Sequence, residues 1–274
     1  MIKKLNLFIA ALCFLCFTVQ AQDSEDKKTY NLMLGFEIGA DGYFGETMQS
    51  DRLRENRSYY HVYDDYDYYC GIVGNDQYMN VVYFGVKPEV FVLNNRLGIS
   101  SGVRFSRYLT NIESDRDYFL WLLHQEGLNT EYVTIKEIEQ NSHYIGIPLE
   151  LQFFPDKREL PFQHYFKLGT VFNYRLYTEN KIEFHNQQMS RHEGLVDSQI
   201  GYPNDFNAYI FGAFGFRIGR YGGEKKLPYI NLEVHLPKVM ITPKASSLIK
   251  THAGFGFQMM VQIPLGETVP IGSK

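Results

Sequence analysis

The sequence has little cysteine, and two of its three cysteines lie in an apolar N-terminal segment. Cys13 and Cys16 belong to that segment, which leaves Cys70 as the single thiol of the remaining chain. One thiol cannot form an internal disulfide, so we predict a fold that does not depend on cross-links. Long apolar runs are scarce as well, because after the N-terminal segment no stretch approaches the ~20 apolar residues that a membrane-spanning helix needs.

The chain also lacks an excess of either charge. Its 27 Lys and Arg and 31 Asp and Glu give a net charge of −4, and the two signs are mixed along the sequence. A nucleic-acid surface would need cationic residues to cluster. We therefore predict no nucleic-acid partner, and no motif in the sequence indicates a cofactor.

Residues 1–21 have the pattern of a secretory signal peptide. Two lysines precede an apolar run at residues 5–19, and Val19-Gln20-Ala21 fits a cleavage site before Gln22. The alternative is an uncleaved membrane anchor, for which the apolar run is short. We predict export from the cytoplasm, with residues 22–30 forming a polar periplasmic leader.

Apolar and polar residues alternate with a period of two in eight segments of the remaining chain. Such alternation is typical of strands with one apolar and one polar face. We predict an all-β fold, an eight-stranded antiparallel up-and-down transmembrane β-barrel over residues 31–266, followed by a C-terminal tail at 267–274. The predicted strands lie at 32–41, 82–92, 97–106, 144–153, 166–176, 208–218, 230–236 and 252–263.

The connections between these segments alternate between short and long. In a membrane barrel the periplasmic turns are short and the extracellular loops are long, so this order predicts a periplasmic N-terminus. The short connections are 94–96, 156–163 and 220–228, and the long ones are 45–77, 112–142, 179–204 and 239–250.

Two prolines and one apolar run complicate this pattern. Pro88 and Pro148 lie within predicted strands, and since proline cannot donate to a ladder we expect a bulge or a locally broken ladder at each. Residues 118–123 are predicted to form a short helix, with Ser114 or Asp117 as its cap and Gly127 at its end. Residues 132–138 are expected to continue the fourth strand beyond the membrane.

The polar face of the strands carries charges of both signs together with many glycines. We predict that it faces the interior of the barrel, where opposite charges pair and the apolar face contacts outer-membrane lipid. A narrow, packed interior also argues against an open diffusion pore. The opposite assignment, a soluble lipocalin-like barrel with its apolar face inward, is the alternative. The predicted interior charges are Glu37, Asp41, Lys87, Glu89, Arg104, Glu150, Lys167, Arg175, Arg217 and Glu233.

Two places combine serine and histidine as an acyl-transfer site would require. Ser142 precedes His143, and Ser190 lies near His192 and Glu193, all in or beside predicted outer loops. His235 and His252 lie on adjacent predicted strands with Glu233 nearby, and these side chains are of the types that bind a metal ion. Short spacings of this kind arise often by chance, so we predict no catalytic residue and no metal site.

The first long connection contains the most distinctive surface segment, SYYHVYDDYDYYCG at residues 58–71. Tyrosine provides amphipathic contact area at low entropic cost, so this segment is a candidate recognition loop. The alternative is a loop hairpin that extends the strands, with its tyrosines packing on one another. No EF-hand spacing is present. The candidate residues are Tyr59, Tyr60, Tyr63, Asp64, Asp65, Tyr66, Asp67, Tyr68 and Tyr69.

Three stretches resemble the PorT-like outer-membrane β-barrel family of Bacteroidota. They are HYIGIPLELQFFPDK at 143–157, FGVKPEVFVLNNRLGISSGVRFSRY at 84–108 and GFGFQMMVQIPLG at 254–266. The chain departs from many outer-membrane barrels in having no terminal aromatic residue. The resemblance implies a small outer-membrane protein; most members have no assigned activity, and the namesake is associated with a protein-secretion and gliding apparatus.

Together these patterns predict a non-enzymatic outer-membrane protein of a Gram-negative bacterium. We expect a structural, adhesive or secretion-accessory role through its outer loops, with envelope or secretion-machinery proteins as partners. Two alternatives stay open at this point. One is an outer-membrane lipid-modifying enzyme with a His/Ser site at the outer rim, and the other is a secreted soluble barrel that binds a ligand in its interior.

Overall fold

A computed structural model describes eleven ranges of the chain. They are 31–47, 53–55, 59–64, 67–72, 76–93, 96–113, 120–126, 129–155, 162–219, 228–242 and 244–265. The predicted signal peptide (1–21), the leader (22–30) and the tail (267–274) lie outside these residues, as do Asp65 and Tyr66 of the candidate recognition loop.

Most of the described chain is extended, as the alternating sequence pattern predicts. A 3-10 helix at Gln187–His192 continues into the short helix α1 at Glu193–Ile200. In the described ranges no helix is both long and apolar enough to span a bilayer. The strands are β1 Asn31–Thr47, β2 Leu53–Glu55, β3 Tyr59–Asp64, β4 Asp67–Ile72, β5 Asp76–Val92, β6 Leu97–Ser101, β7 Val103–Glu113, β8 Leu120–Glu126, β9 Asn129–Phe153, β10 Phe162–Phe184, β11 Phe206–Ile218, β12 Tyr229–Met240 and β13 Ile249–Pro264.

Eight antiparallel strand positions close into a ring. The order is β1, β5, β6 with β7, β9, β10, β11, β12 and β13, and β13 pairs with β1 to complete the circle. β6 and β7 share one position, because both pair with β5 on one side and β9 on the other. The predicted all-β fold with eight antiparallel strands is therefore confirmed. We call the end at which β5 turns into β6 the turn end and the opposite end the extended end.

Both strand prolines lie beside one interruption of the ladder. The strand between them breaks at Gly102, which separates β6 from β7. Pro88 lies on β5 between the residues paired with β6 and those paired with β7, and Pro148 holds the corresponding place on β9. A Cβ at Gly102 would lie 2.1 Å from the carbonyl oxygen of Val86. The expected broken ladder is present, and it falls on the strand that both prolines flank.

Burial alternates along the ring strands with the period that the sequence predicts. On β12, for example, Asn231 and Glu233 are buried whereas Ile230 and Leu232 are exposed. Successive side chains of a strand point to opposite faces, so every ring strand has one inward and one outward row. The inward rows are largely polar and the outward rows are apolar, which makes the core of this molecule more polar than its surface.

β9 and β10 are much longer than the other ring strands, with 25 and 23 residues, and extend together past the ring. The expected continuation of the fourth strand through residues 132–138 is confirmed. The helix predicted at 118–123 is wrong, because residues 120–126 form β8 and pair with 129–135 of β9. A short apolar run does not distinguish a helix from a strand by periodicity, and pairing with β9 decided this one.

An apolar cluster joins the extension to the segment between β10 and β11. The 3-10 helix and α1 occupy part of what was predicted as a long loop, and β10 itself continues to Phe184. Ile135 and Ile138 of β9, Val196 and Ile200 of α1 and Leu248 are all buried together. We call this cluster the cap, and its residues come from several elements at the extended end of the ring.

Candidate functional site

The ring interior contains a balanced set of buried charges. Nine of the ten predicted interior charges are at most 4% exposed, and Arg175 is the exception. The interior also holds Lys238, which is fully buried and was not predicted. Five carboxylates therefore face five cationic side chains: Glu37, Asp41, Glu89, Glu150 and Glu233 against Lys87, Arg104, Lys167, Arg217 and Lys238.

Arg104 lies at the centre of this set. Its Nε donates to Glu37 Oε1 at 2.6 Å and its Nη2 to Glu37 Oε2 at 2.9 Å, and Nη1 donates to the hydroxyl of Tyr209 at 2.8 Å. Lys87 Nζ lies 2.6 Å from both Glu37 and Glu150. Parallel guanidinium–carboxylate bonds are strong and directional, so this group ties β1, β5, β7 and β9 together across the ring.

A second group continues the network toward β12. Lys167 Nζ lies 2.5 Å from Glu233 Oε1 and 3.1 Å from Glu150 Oε2. The hydroxyl of Tyr165 donates to Glu233 at 2.8 Å, and His235 Nε2 lies 3.2 Å from the other oxygen of the same carboxylate. Because Glu150 belongs to both groups, the charges of β1, β5, β7, β9, β10 and β12 form one connected network.

Lys238 enters the interior because β12 changes register. The pairing of β12 with β13 shifts between His235 and Lys238, so the strict alternation of inward and outward residues does not continue there. Lys238 Nζ lies 2.5 Å from Asp41 Oδ1 and about equally far from the rings of Tyr83, Tyr209 and Phe211, at 5.2–5.4 Å. A bulge of this kind re-aims a side chain, and Pro237, which cannot donate to the ladder, lies within it and is the sequence signal that marks the place.

Arg175 is the one predicted interior charge that the structure places elsewhere. The pairing of β10 with β9 shifts register between Arg175 and Tyr177. The pairing of β10 with β11 ends at Tyr174, one residue before Arg175. Arg175 is only partly buried at the extended end, where its guanidinium pairs with Asp205 and lies 5.5 Å from the ring of Tyr202. The prediction that Arg175 belongs to the interior network is therefore wrong, and Lys238 supplies the fifth positive charge.

Side chains fill the interior at the turn end. The guanidinium of Arg217 lies over the rings of Phe154 and Phe91, at 4.3 and 4.8 Å from their centroids. Arg217 also donates to Gln262 at 2.7 Å and to Asn231 at 3.1 Å. Aromatic rings and a buried arginine therefore occupy the ring interior at the turn end.

Tyrosines and amides fill the interior toward the extended end. Tyr108 and Tyr144 pack against each other with ring centroids 4.6 Å apart, and Asn173 donates to Asn207 and to the Tyr108 hydroxyl. Beyond them Gln140 bonds the segment before β13: its amide donates to the Ser247 hydroxyl at 2.7 Å, and its carbonyl accepts from the Ser247 backbone. The described interior is thus packed from the turn end to the cap.

The first serine–histidine pair is not brought together. Ser142 is buried on the inward face of β9 and bonds the hydroxyl of Thr178 at 2.9 Å, whereas His143 points outward and stacks on Tyr177 at 4.3 Å. Successive residues of a strand point to opposite faces, so His143 cannot act as the base for the hydroxyl of Ser142.

At the second candidate site, Ser190 with His192, the histidine forms hydrogen bonds with residues other than Ser190. Ser190 is exposed, whereas His192 is buried against the extension, with Nε2 at 3.0 Å from both Glu131 Oε2 and Arg191 Nε. Arg191 donates twice to Glu131, at 2.7 and 2.8 Å, and these hydrogen bonds lower the pKa of Glu131. The group fastens the 3-10 helix to β9.

No cluster of metal-ligating side chains occurs among the residues that the structure describes. Of the predicted histidine pair, His235 is fully buried and bonded to Glu233, with its ring 4.7 Å from Phe211. The side chain of His252 lies outside the described residues. His235 therefore belongs to the interior network.

The tyrosine-rich segment forms a separate two-stranded sheet. β3 and β4 pair from Tyr59 with Ile72 to Asp64 with Asp67, so the alternative prediction of a hairpin is confirmed for the backbone. His61 is paired directly with Cys70 in this register. Within the described residues neither strand pairs with the ring.

Known proteins provide no independent guide to this arrangement. No protein-family model matches the chain, and no significantly similar curated protein was found.

Proposed function

We propose that the protein is an outer-membrane β-barrel of a Gram-negative bacterium, with lipid around its outer wall. The observation that carries this proposal is the inverted distribution of polarity. Every position in the ring presents a large apolar side chain that is 40–64% exposed, while the charges lie inside. One such residue from each position is Phe36, Phe84, Val103, Leu149, Leu168, Ile210, Leu232 and Phe257.

The closed circle of exposed apolar residues favours lipid over a protein partner. A partner would require an apolar patch on one side, and exposed patches on soluble monomers are generally limited to a few hundred Å². An apolar wall on all sides indicates an apolar solvent. Ring closure leaves no strand edge with unpaired backbone groups facing that solvent, which is a requirement for strands in a bilayer. The signal peptide pattern and the PorT-like resemblance support the same location.

The packed interior favours a role at the surface over one in transport. Arg217 with its aromatic neighbours occupies one end, the charge network the middle, and the tyrosines and the cap the other end. We propose a structural, adhesive or secretion-accessory role, exerted by the extended end, where the β9–β10 extension and the tyrosine hairpin would face outward. The partners would be envelope or secretion-machinery proteins.

Neither alternative function has a specific observation in its favour. A lipid-modifying enzyme needs a base in contact with a nucleophile, and Ser142 and His143 lie on opposite faces of β9. A soluble ligand-binding barrel needs an apolar interior, and the interior here is charged and hydrogen-bonded.

The test is fractionation of the native protein combined with heat-modifiable gel mobility. We expect the mature chain in the purified outer membrane, running faster on a gel before boiling than after boiling. The Arg104→Ala variant, which breaks the interior network, should lose the fast band at a lower temperature. Recovery of wild-type protein in the soluble periplasmic or secreted fraction, with one mobility at all temperatures, would refute the proposal.

A further inference from the structure

The outer wall changes character along one row that crosses β7, β9 and β10. Phe105, Ile145 and Tyr174 are paired side by side in the last apolar row. The next outward row toward the extended end consists of Arg107, His143 and Tyr177. On these three strands the outward side chains change from largely apolar to hydrogen-bonding at this second row, which we call the donor row, and Leu109 on β7 is the next outward residue beyond Arg107.

The donor row presents hydrogen-bond donors in a fixed arrangement. Arg107 is exposed, and its Nε donates to Asn141 Oδ1 at 2.9 Å, which holds the guanidinium against the wall. His143 and Tyr177 stack at 4.3 Å with 18° between their planes, and Tyr177 is 48% exposed. Within the described residues, the terminal nitrogens of Arg107 and the hydroxyl of Tyr177 contact no hydrogen-bond acceptor, and both side chains are exposed.

We propose that the donor row binds the phosphate group of a membrane lipid. The inference rests on the proposed outer-membrane location, which would put the apolar row in the hydrocarbon and the donor row about 7 Å further out, two residues along the strands. Arginine binds phosphate through paired N–H donors, and tyrosine suits a boundary between apolar and polar surroundings. The acyl chains of the same lipid would run along Phe105, Ile145 and Val82, which lies beside Arg107 on β5.

One acidic residue opposes this binding and provides a sharp test. Glu179 lies one row further out, paired with Asn141, the residue that holds Arg107. Its negative charge lowers the affinity of the row for phosphate, so Glu179→Gln should strengthen binding. Arg107→Ala should weaken it by about tenfold, the scale of one charge-assisted hydrogen bond.

The experiment titrates the refolded mature protein in neutral detergent micelles with dimyristoyl phosphatidylglycerol and counts bound lipid by native mass spectrometry. Dimyristoylglycerol, which has the same chains without phosphate, is the second probe. We expect the phosphate lipid to bind more tightly than dimyristoylglycerol, and excess inorganic phosphate to leave it bound. Arg107→Lys should retain part of the affinity. The matched control is Lys136→Ala, an exposed cation on β9 in the extension that pairs with Glu183.

Equal retention of phosphatidylglycerol by wild-type protein and Arg107→Ala would overturn the inference, as would equal binding of the two probes. Displacement by inorganic phosphate would show that the row is an anion site without a lipid role and would also overturn it. None of these results touches the proposed location, which fails only if the wild-type chain is absent from the outer-membrane fraction.

Discussion

Arg104 and Glu37 face each other across the ring interior, and the guanidinium donates one hydrogen bond to each carboxylate oxygen, at 2.6 and 2.9 Å. Neither side chain has measurable exposure. Removing one partner of such a pair leaves a buried charge uncompensated, whereas removing both removes that cost. The pair is therefore a place where a single and a double substitution should behave very differently.

We predict that Glu37→Leu lowers the free energy of unfolding by about 3–5 kcal/mol, because the buried cations Arg104 and Lys87 both lose the carboxylate that pairs with them. The double variant Glu37→Leu with Arg104→Met should recover most of that loss. The measurement is a urea series on protein folded into lipid vesicles, with the folded fraction read from gel mobility. If the double variant is as unstable as the sum of the two single variants, the network argument is wrong.

Lys238 and Arg175 should respond differently to the same change. Lys238→Met removes the buried partner of Asp41 and should destabilise the protein by about 3–5 kcal/mol. Arg175→Met, at the extended end beside the exposed Asp205, should cost no more than about 1 kcal/mol. The same urea series measures both. Similar costs for the two variants would contradict the exchange of Lys238 for Arg175 in the interior.

The outer wall should be intolerant of charge at mid-height. Leu168 lies near the middle of the wall and is 64% exposed. Its replacement by arginine should lower the free energy of unfolding by about 2–4 kcal/mol, as expected for a lipid-facing position. The control is Tyr132→Arg in the extension, where a residue of similar exposure, 58%, should change stability by less than about 1 kcal/mol. Vesicle-folded protein provides the measurement, and a harmless Leu168→Arg would point to water around the wall.

Two glycines should show opposite effects of alanine. At Gly102 a Cβ would lie 2.1 Å from Val86 O and 2.9 Å from Lys87 Cα, so β5 would have to move, at a cost of about 1–3 kcal/mol. At Gly194 in α1 a Cβ meets nothing within 4 Å, and alanine should stabilise the helix by up to about 1 kcal/mol. Unfolding midpoints of the two variants check this. A Gly102→Ala variant as stable as wild type would show that the strand break tolerates a side chain.

The sequence alone was enough to predict the repeating parts of this molecule. A strand places alternate residues on opposite faces, so eight alternating segments predicted eight strands and which residues share a face. That is why nine of ten interior charges were found from their spacing. The two prolines likewise located the broken ladder, because the missing N–H is a property of the residue itself.

Only the tertiary structure decided where that alternation fails and which side chains meet. The register shifts on β10 and β12 leave Arg175 at the end of the ring and bring Lys238 inside, and such shifts depend on how neighbouring strands pair. The pairing of β8 with β9 overrode a local pattern that equally allowed a helix. Ion pairs such as Arg104 with Glu37 join residues that are 67 positions apart in the chain. Local periodicity specifies which face of a strand a residue occupies, but it does not specify the residue's partner across the ring.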